Sequence, residues 1–490
     1  MMKATVQKTV SQILMLILMG WVLSACASLT EEGGAQDEMA MFTVLYTNDE
    51  HGWMEGMEEG QGAANLFELW KEEEGFSQDG AFLVLSGGDN WTGPAISTWV
   101  QGQSMVELMN AMDYDASAVG NHEFDFGLQD FSARAAQADF PYLSANTLWK
   151  ETGEHPVDLG ILPYTLTSVA GVNVAIIGLT TTSTPTTTMP SVVAPLAFTD
   201  YEVALRKVMP EIHAHNPDVL IVVSHVCMNE LRPLALAVED LDIALIGAGH
   251  CNELVAEKIG STVVVGGGFH FSSYAKAQIQ VNRVTEESQA VSFSTHQNKD
   301  SAADSALASI VSRWRDVSEE TLSERLGFSE REWQRSSDEL QQSIVDAWLE
   351  FDTTADIALT NGGGIRAPLA KGEISLGTIV AIMPFSNTII ATDLTGAEIA
   401  EVMAEATRPV IAGMRMEADQ WVLDSTNAPL AESTHYRVLV NSFMYDGGDG
   451  YGKLARFDPE GFDTAVHYRE PFVQWLKKIG SSVDQPLVLD

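Results

Sequence analysis

Residues 118–127 read Ala-Val-Gly-Asn-His-Glu-Phe-Asp-Phe-Gly. Gly120, Asn121, His122 and Glu123 set a glycine, an amide, an imidazole and a carboxylate side by side, with Asp125 and Gly127 close behind. Four other segments, two on each side in the chain, share one form: a short apolar, β-branched run that ends in Asp, His or Asn. Phe42–Tyr46 runs into Asn48, Asp49, Glu50 and His51, and Phe82–Leu85 runs into Gly87, Gly88 and Asp89. Val219–Val223 runs into Ser224 and His225, and Ile243–Ile246 runs into His250, Cys251 and Asn252. An Asp-x-His pair alone is an ordinary surface feature, and Asp after two glycines is an ordinary turn signal. All five segments in this order carry far more weight.

The apolar runs, with Val172–Ile177 and Thr262–Val265, suit strands buried on both faces. Helical stretches intervene at Ala63–Glu74, Ser104–Met112 and Ala204–His215. The alternation predicts an α/β domain with helices layered around the sheets. Sites in such folds lie where strands deliver their carboxyl ends. Mixed carboxylate, imidazole and amide donors suit Zn²⁺, Mn²⁺ or similar ions, not a thiolate-rich structural zinc. The flanking glycines let the backbone turn tightly and leave room for a substrate. Ser301–Leu322 carries Leu307, Ile310, Val311 and Trp314 at helical spacing and reads as a connecting helix. A second pattern follows it: helix Asp338–Trp348, strand Ile357–Thr360, strand Thr388–Leu394 and helix Ala397–Ala404. The expected division is therefore a first domain over 41–300, a connector over 301–325 and a second domain over 326–490.

The chain has 490 residues, enough for two or three domains. Its 45% hydrophobic and 19% charged residues exclude a mainly disordered chain. Lys and Arg total 27 against 68 Asp and Glu, for a net charge of −41. A nucleic-acid polymer held on a general basic surface is thereby excluded as a partner. An anion must instead be met by a few placed arginines or bound metals. No obligate protein partner is evident. Lys3 and Lys8 precede the apolar run Ile13–Val22, which is signal-peptide length and too short to span a bilayer. It ends in Leu23-Ser24-Ala25-Cys26, which resembles a bacterial lipoprotein cleavage box. The expectation is a signal over 1–25, a lipid on Cys26 and a flexible tether over 26–40. The chain would then sit in the cell envelope, anchored to the outer membrane or at the cell surface or periplasm. The alternative is an ordinary cleaved signal with an incidental cysteine.

The five segments resemble those of the calcineurin-like metallophosphoesterases, and specifically of the 5′-nucleotidase/UDP-sugar hydrolase family, over about residues 42–485. The resemblance implies a four-layer α/β/β/α N-terminal domain and a C-terminal α/β nucleotide-binding domain. It also implies two divalent metal ions, drawn from Zn, Mn, Mg or Co. Asp49, His51, Asp89 and Asn252 would hold one. Asp89 would bridge to the other, completed by Asn121, His225 and His250. A bridging carboxylate is physically apt, because two dications about 3.5–4 Å apart repel strongly without an anion between them. His122 would not be a ligand but would contact the phosphate or assist the leaving oxygen. Asp125 would orient its ring. Many relatives carry His where this chain has Asn252, which puts the first metal site's strength and preference in doubt. Cys227 and Cys251 flank expected ligands and could be two buried thiols, a disulfide or metal ligands.

In the second domain, Thr360 to Arg366, Pro384 to Asn387 and Phe443 to Tyr451 resemble the family's nucleotide-recognition segments. By that resemblance Phe385 and Phe443 sandwich the base. Asn361, Gly363, Asn387 and Asp449 line its polar surroundings, and Asn121 also meets the substrate. Arg331 and Arg335 stand four apart and Arg366 follows Arg335 by 31, the family's arginine spacing. All three are expected to clamp phosphate or ribose oxygens. The implied activity is hydrolysis of nucleoside 5′-phosphates, with di- and triphosphates as a possible extension, by water activated between two metals. Alternatives on the same machinery are 2′,3′-cyclic nucleotides, with 3′-nucleotidase action, or UDP-sugars. A surface binding lipoprotein is the non-enzyme alternative.

Overall fold

The computed structural model describes residues 39–285, 287–299 and 301–489. The expected signal sequence, Cys26 and most of the expected tether lie outside the described residues. Residues 39 and 40, assigned to the tether from sequence, already belong to the strand Met39–Thr47.

Two sheets stack face to face in the first domain. One has seven strands; at its centre Met39–Thr47 pairs parallel with Phe82–Ser86 and antiparallel with Ser273–Asn282. The other has six, with Val172–Thr180, Val219–His225 and Ile243–Gly247 parallel at its middle. All seven residues of Val219–His225 are buried, which explains its unbroken apolar run. Val44, Tyr46, Leu85, Ile176, Ile221 and Val265 fill the space between the sheets. Helices Ala63–Glu73 and Gln103–Ala111 cover the outer face of the first sheet through Leu66, Trp70, Met105 and Leu108. Helices Tyr201–His213 and Met228–Ala237 cover the second through Leu205, Ile212 and Leu231. The result is helix, sheet, sheet, helix. The parallel strands at the centre send their carboxyl ends to one edge of this stack, and the residues that follow them form the site.

Helix Ser305–Leu322 starts on Asp304, whose carboxylate accepts the Leu307 N–H. Leu307, Val311 and Trp314 bury against the first domain's core. Beyond it a five-stranded sheet carries helices on both faces. Asp338–Phe351 and Glu470–Ile479 pack on one face and Gly396–Glu405 on the other. Thr395 and Glu398 form a reciprocal cap at the start of the last of these helices, as Thr-x-x-Glu predicts. Among the described residues, no helix is long and apolar enough to cross a membrane.

Candidate active site

The strand ends bring the expected ligands together. Asp89 Oδ2 lies 3.0 Å from His225 Nε2 and 3.8 Å from His51 Nε2. Asn121 Oδ1 is 3.1 Å from His225 Nε2, and His250 Nδ1 is 3.2 Å from the same nitrogen. The donor atoms form two groups, Asp49/His51/Asp89 and Asp89/His225/His250, each within 4.8 Å and sharing Asp89. Asn252 lines the same cleft at its exposed edge. Asp49 Oδ1 is buried with no hydrogen-bond partner. A carboxylate oxygen stranded among imidazoles is costly unless a cation meets it, so the donor set fits divalent metal. The imidazoles are prepared for the same task. His225 Nδ1 donates to Gly87 O at 2.8 Å, and His51 Nδ1 to Thr92 O at 3.1 Å. A carbonyl only accepts, so each ring carries a proton on Nδ1 and turns Nε2 toward the cluster, where a metal would take that nitrogen in place of a proton.

Burial and charge act against each other here. Burial alone would raise Asp89, but the rings of His225 and His122 outweigh it and hold its carboxyl well below the usual carboxylate range. Burial pushes Asp49 up. Burial, reinforced by His225, takes His250 down to about 4.

The backbone is as unusual as the charges. Asp49, His51, Asp89, His250 and Asn252 have φ of 57°, 45°, 57°, 72° and 58°. Left-handed backbone costs a non-glycine residue about 1–2 kcal/mol. Asp, Asn and His enter it most readily. Side chains that sequence reading gave no role hold these turns in place. Glu123 accepts the N–H groups of Asp89, Asn90 and Gly120 at 2.8, 2.6 and 2.7 Å. Asn48 donates to Asp49 Oδ2 at 2.6 Å and accepts the Gly267 N–H at 2.6 Å. Gly120 is required for close approach, because a Cβ there would lie 2.2 Å from Asp89 Oδ1. Glu123 was visible inside the Gly-Asn-His-Glu run, but nothing in one sequence says that its carboxylate points at backbone.

His122 and Asp125 form the expected pair, with Nδ1 2.8 Å from Oδ2. Burial would lower the His122 ring, but Asp125 and Asp89 together raise it above its ordinary value. The ring stacks on Phe385 of the second domain, centroids 5.6 Å apart and planes 23° off parallel.

A cleft of about 950 Å³ runs between the domains. Asp89, Asn121 and His122 lie on one wall, and Arg335, Asn361, Gly363, Arg366, Phe385, Asn387, Phe443 and Asp449 on the other. Asn361 Nδ2 donates to Asp449 Oδ2 at 2.7 Å, and Asn361 Oδ1 accepts from Asn441 at 2.9 Å. Gly448 lets the Phe443 ring lie on its turn, since a Cβ would come within 2.3 Å of that ring. Arg331 is the exception to the expected set. Its guanidinium sits 3.5 Å from the Trp333 ring centroid, 4.0 Å from Glu339 and outside the cleft, with its side chain 62% exposed. Residues four apart are neighbours on a helix, and this segment is instead a loop between Arg325–Ser329 and Asp338–Phe351. Cys227 and Cys251 form a disulfide with Cα atoms 5.2 Å apart, so neither is a thiol or a metal ligand. Sequence reading also passed over Trp53 and His270, which stack at 5.0 Å on the cleft wall.

Known proteins with this architecture point the same way. The family model for the 5′-nucleotidase C-terminal domain matches residues 317–456. The trifunctional nucleotide phosphoesterase YfkN of Bacillus subtilis is 28% identical over 523 residues, covering 91% of this chain. The match spans only 34% of that longer protein. A 5′-nucleotidase of Vibrio vulnificus is 27% identical over 88% of this chain and 89% of its own length. The 5′-nucleotidase precursor of Thermus thermophilus superposes with a TM-score of 0.77 at 23% identity, covering 92% of this chain and 100% of its own, a likeness of fold. The second domain thus matches the 5′-nucleotidase C-terminal domain, and the chain is similar over most of its length to 5′-nucleotidases.

Proposed function

We propose that this protein hydrolyses nucleoside 5′-phosphates to nucleoside and phosphate, in the cell envelope, while tethered by a lipid on Cys26. One observation carries the reading: a single cleft joins the carboxylate–imidazole cluster of the first domain to the Phe385 and Phe443 rings of the second. A mononucleotide has that same polarity, a dianion at one end and a flat base at the other. Asp49, His51, Asp89 and Asn252 would hold one divalent ion, and Asp89, Asn121, His225 and His250 the second. Bound there, the ions would neutralise phosphate oxygens and lower the pKa of water. The chain's own groups do the rest. Phe385 and Phe443 take the base by stacking, which tolerates any base. Asn361, Asn387 and Asp449 lie on the wall around it. Among the described residues, Arg335 and Arg366 are the cations that line the second-domain wall of the cleft in this strongly acidic chain. His122, held through Nδ1 by Asp125, keeps Nε2 free toward the leaving oxygen.

The test is phosphate release from AMP, ATP, UDP-glucose and 2′,3′-cyclic AMP, each with Mg²⁺, Mn²⁺, Zn²⁺ or Co²⁺. Metal-dependent release from AMP is expected. Turnover of the cyclic ester or UDP-glucose with AMP untouched would refute the substrate, and binding without turnover of any would refute the enzyme. Cys26→Ser should release the protein from the membrane fraction; unchanged fractionation would refute the anchor.

A further inference from the structure

The segment Thr180–Met189 reads Thr-Thr-Thr-Ser-Thr-Pro-Thr-Thr-Thr-Met and follows the strand Val172–Thr180 at the same edge as the ligand loops. From sequence it has no assigned role. In the structure it touches both halves of the site. Asp125 offers one carboxylate oxygen to His122, and its other oxygen, Oδ1, accepts the Thr188 hydroxyl at 2.9 Å. Thr188 is only 2% exposed, so water does not compete for this bond. One residue earlier, the Thr187 carbonyl accepts the Asn121 amide at 3.0 Å. That bond fixes which way the amide faces, because a carbonyl cannot meet the amide oxygen. Asn121 Oδ1 is thereby left toward His225.

The segment is rigid by its own hydrogen bonds. Thr184 Oγ1 donates to Thr181 O at 2.7 Å, and Thr186 and Thr187 hydroxyls both donate to Ser183 O, at 2.9 and 3.2 Å. Its short helix Thr184–Thr187 also packs against the turn Gly448–Gly450, which carries Asp449.

We infer that Thr188 is a positioning residue of the reaction, acting through Asp125 to hold the His122 ring. A carboxylate with one oxygen fixed by Thr188 cannot swing, so its other oxygen pins Nδ1 and aims Nε2 into the cleft. With Thr188 removed, Asp125 still reaches His122 but loses the constraint on its rotation. The inference rests on the His122–Asp125 assignment made above.

The test compares Thr188→Val, which keeps the shape and removes the hydroxyl, with Thr188→Ser, which keeps the hydroxyl, in the wild-type and Asp125→Asn backgrounds. With AMP as substrate, Thr188→Val should lower kcat by roughly 10-fold, the scale of losing one hydrogen bond to a charged group. KM should move less than about 2-fold, and bound metal should stay at the wild-type level, because no ligand is touched. Thr188→Ser should return kcat to within about 3-fold of wild type. In the Asp125→Asn background, Thr188→Val should add less than about 2-fold, since the route it acts through is already lost. Wild-type kcat in Thr188→Val, no rescue by serine, or full additivity with Asp125→Asn would each overturn the inference. If wild type leaves AMP untouched but cleaves p-nitrophenyl phosphate, the substrate reading fails alone and the same series is read on that ester. A wild type inert toward both sinks the dyad assignment and this inference with it.

Discussion

The Arg366 guanidinium reaches across the cleft to 3.5 Å from the His51 imidazole. The two belong to different domains, and among the described residues no carboxylate lies within ion-pair distance of Arg366. Burial, with the nearby Arg335, lowers its pKa below the ordinary arginine value against the opposing pull of Asp89, Asp125 and Asp49. An anion between Arg366 and the expected metal ligands would pair with it directly.

Arg366→Ala should therefore reduce kcat/KM for AMP by roughly 10- to 100-fold, the scale of a charge-assisted hydrogen bond. Arg331→Ala should change it less than about 2-fold, because Arg331 stacks on Trp333 outside the cleft. Steady-state kinetics on AMP and p-nitrophenyl phosphate check both. The small ester brings the same phosphate, so it should lose comparably; a loss confined to AMP would show that Arg366 meets the nucleoside and not the phosphate.

Asp89 and Glu123 touch and should fail in different ways. Asp89→Ala removes the shared ligand, so turnover should vanish and bound metal fall, with the fold retained. Glu123→Ala orphans three backbone N–H groups at once, at about 1–3 kcal/mol for each left unpaired. The second variant should lose at least about 3 kcal/mol of stability by denaturant titration. Metal analysis alongside unfolding separates the two; a stable, metal-free Glu123→Ala would contradict the bracing role.

His122→Ala should lower kcat by about 10²–10⁴, the range for a positioned acid–base group. Its metal content should match wild type. Loss of metal instead would make His122 a ligand.

The Cys227–Cys251 disulfide closes a loop of 24 residues. Opening it should cost about 3 kcal/mol of stability by loop entropy. The half-cystines lie two residues after His225 and one after His250, so the Cys227→Ser/Cys251→Ser protein should also bind metal more weakly. Calorimetric titration of metal into both proteins checks this; identical affinity would confine the crosslink to global stability.

Much of the site was legible because most expected ligands stand at the ends of strands that announce themselves as continuous apolar runs; Asn121, after the short strand Ala116–Ala118, was legible from the Gly-Asn-His-Glu run instead. The hairpin of Ser273–Asn282 and Glu287–Gln297 was not, because its outer strand is largely exposed and its side chains are mostly polar. Arg331 was expected in the clamp from the family's arginine spacing, and spacing does not say where a loop aims its side chain; here the guanidinium lies over Trp333. Thr187 and Thr188 were invisible for another reason. Their roles run through a carbonyl and a hydroxyl whose partners lie 66 and 63 residues away. The cysteines left three readings open because pairing depends on a Cα separation that sequence does not contain.

The left-handed turns at Asp49, His51, Asp89, His250 and Asn252 have a thermodynamic consequence. Their conformational cost is met by the fold itself, through Glu123, Asn48 and the packed sheets, before any ion arrives. An ion then meets a finished cage and selects the native state over the unfolded chain, where these five residues are scattered. Each tenfold rise in free metal above the dissociation constant should therefore add about 1.4 kcal/mol per site to the folded state. The melting temperature becomes a reporter of metal supply, and starving the protein of ions softens it without changing its shape.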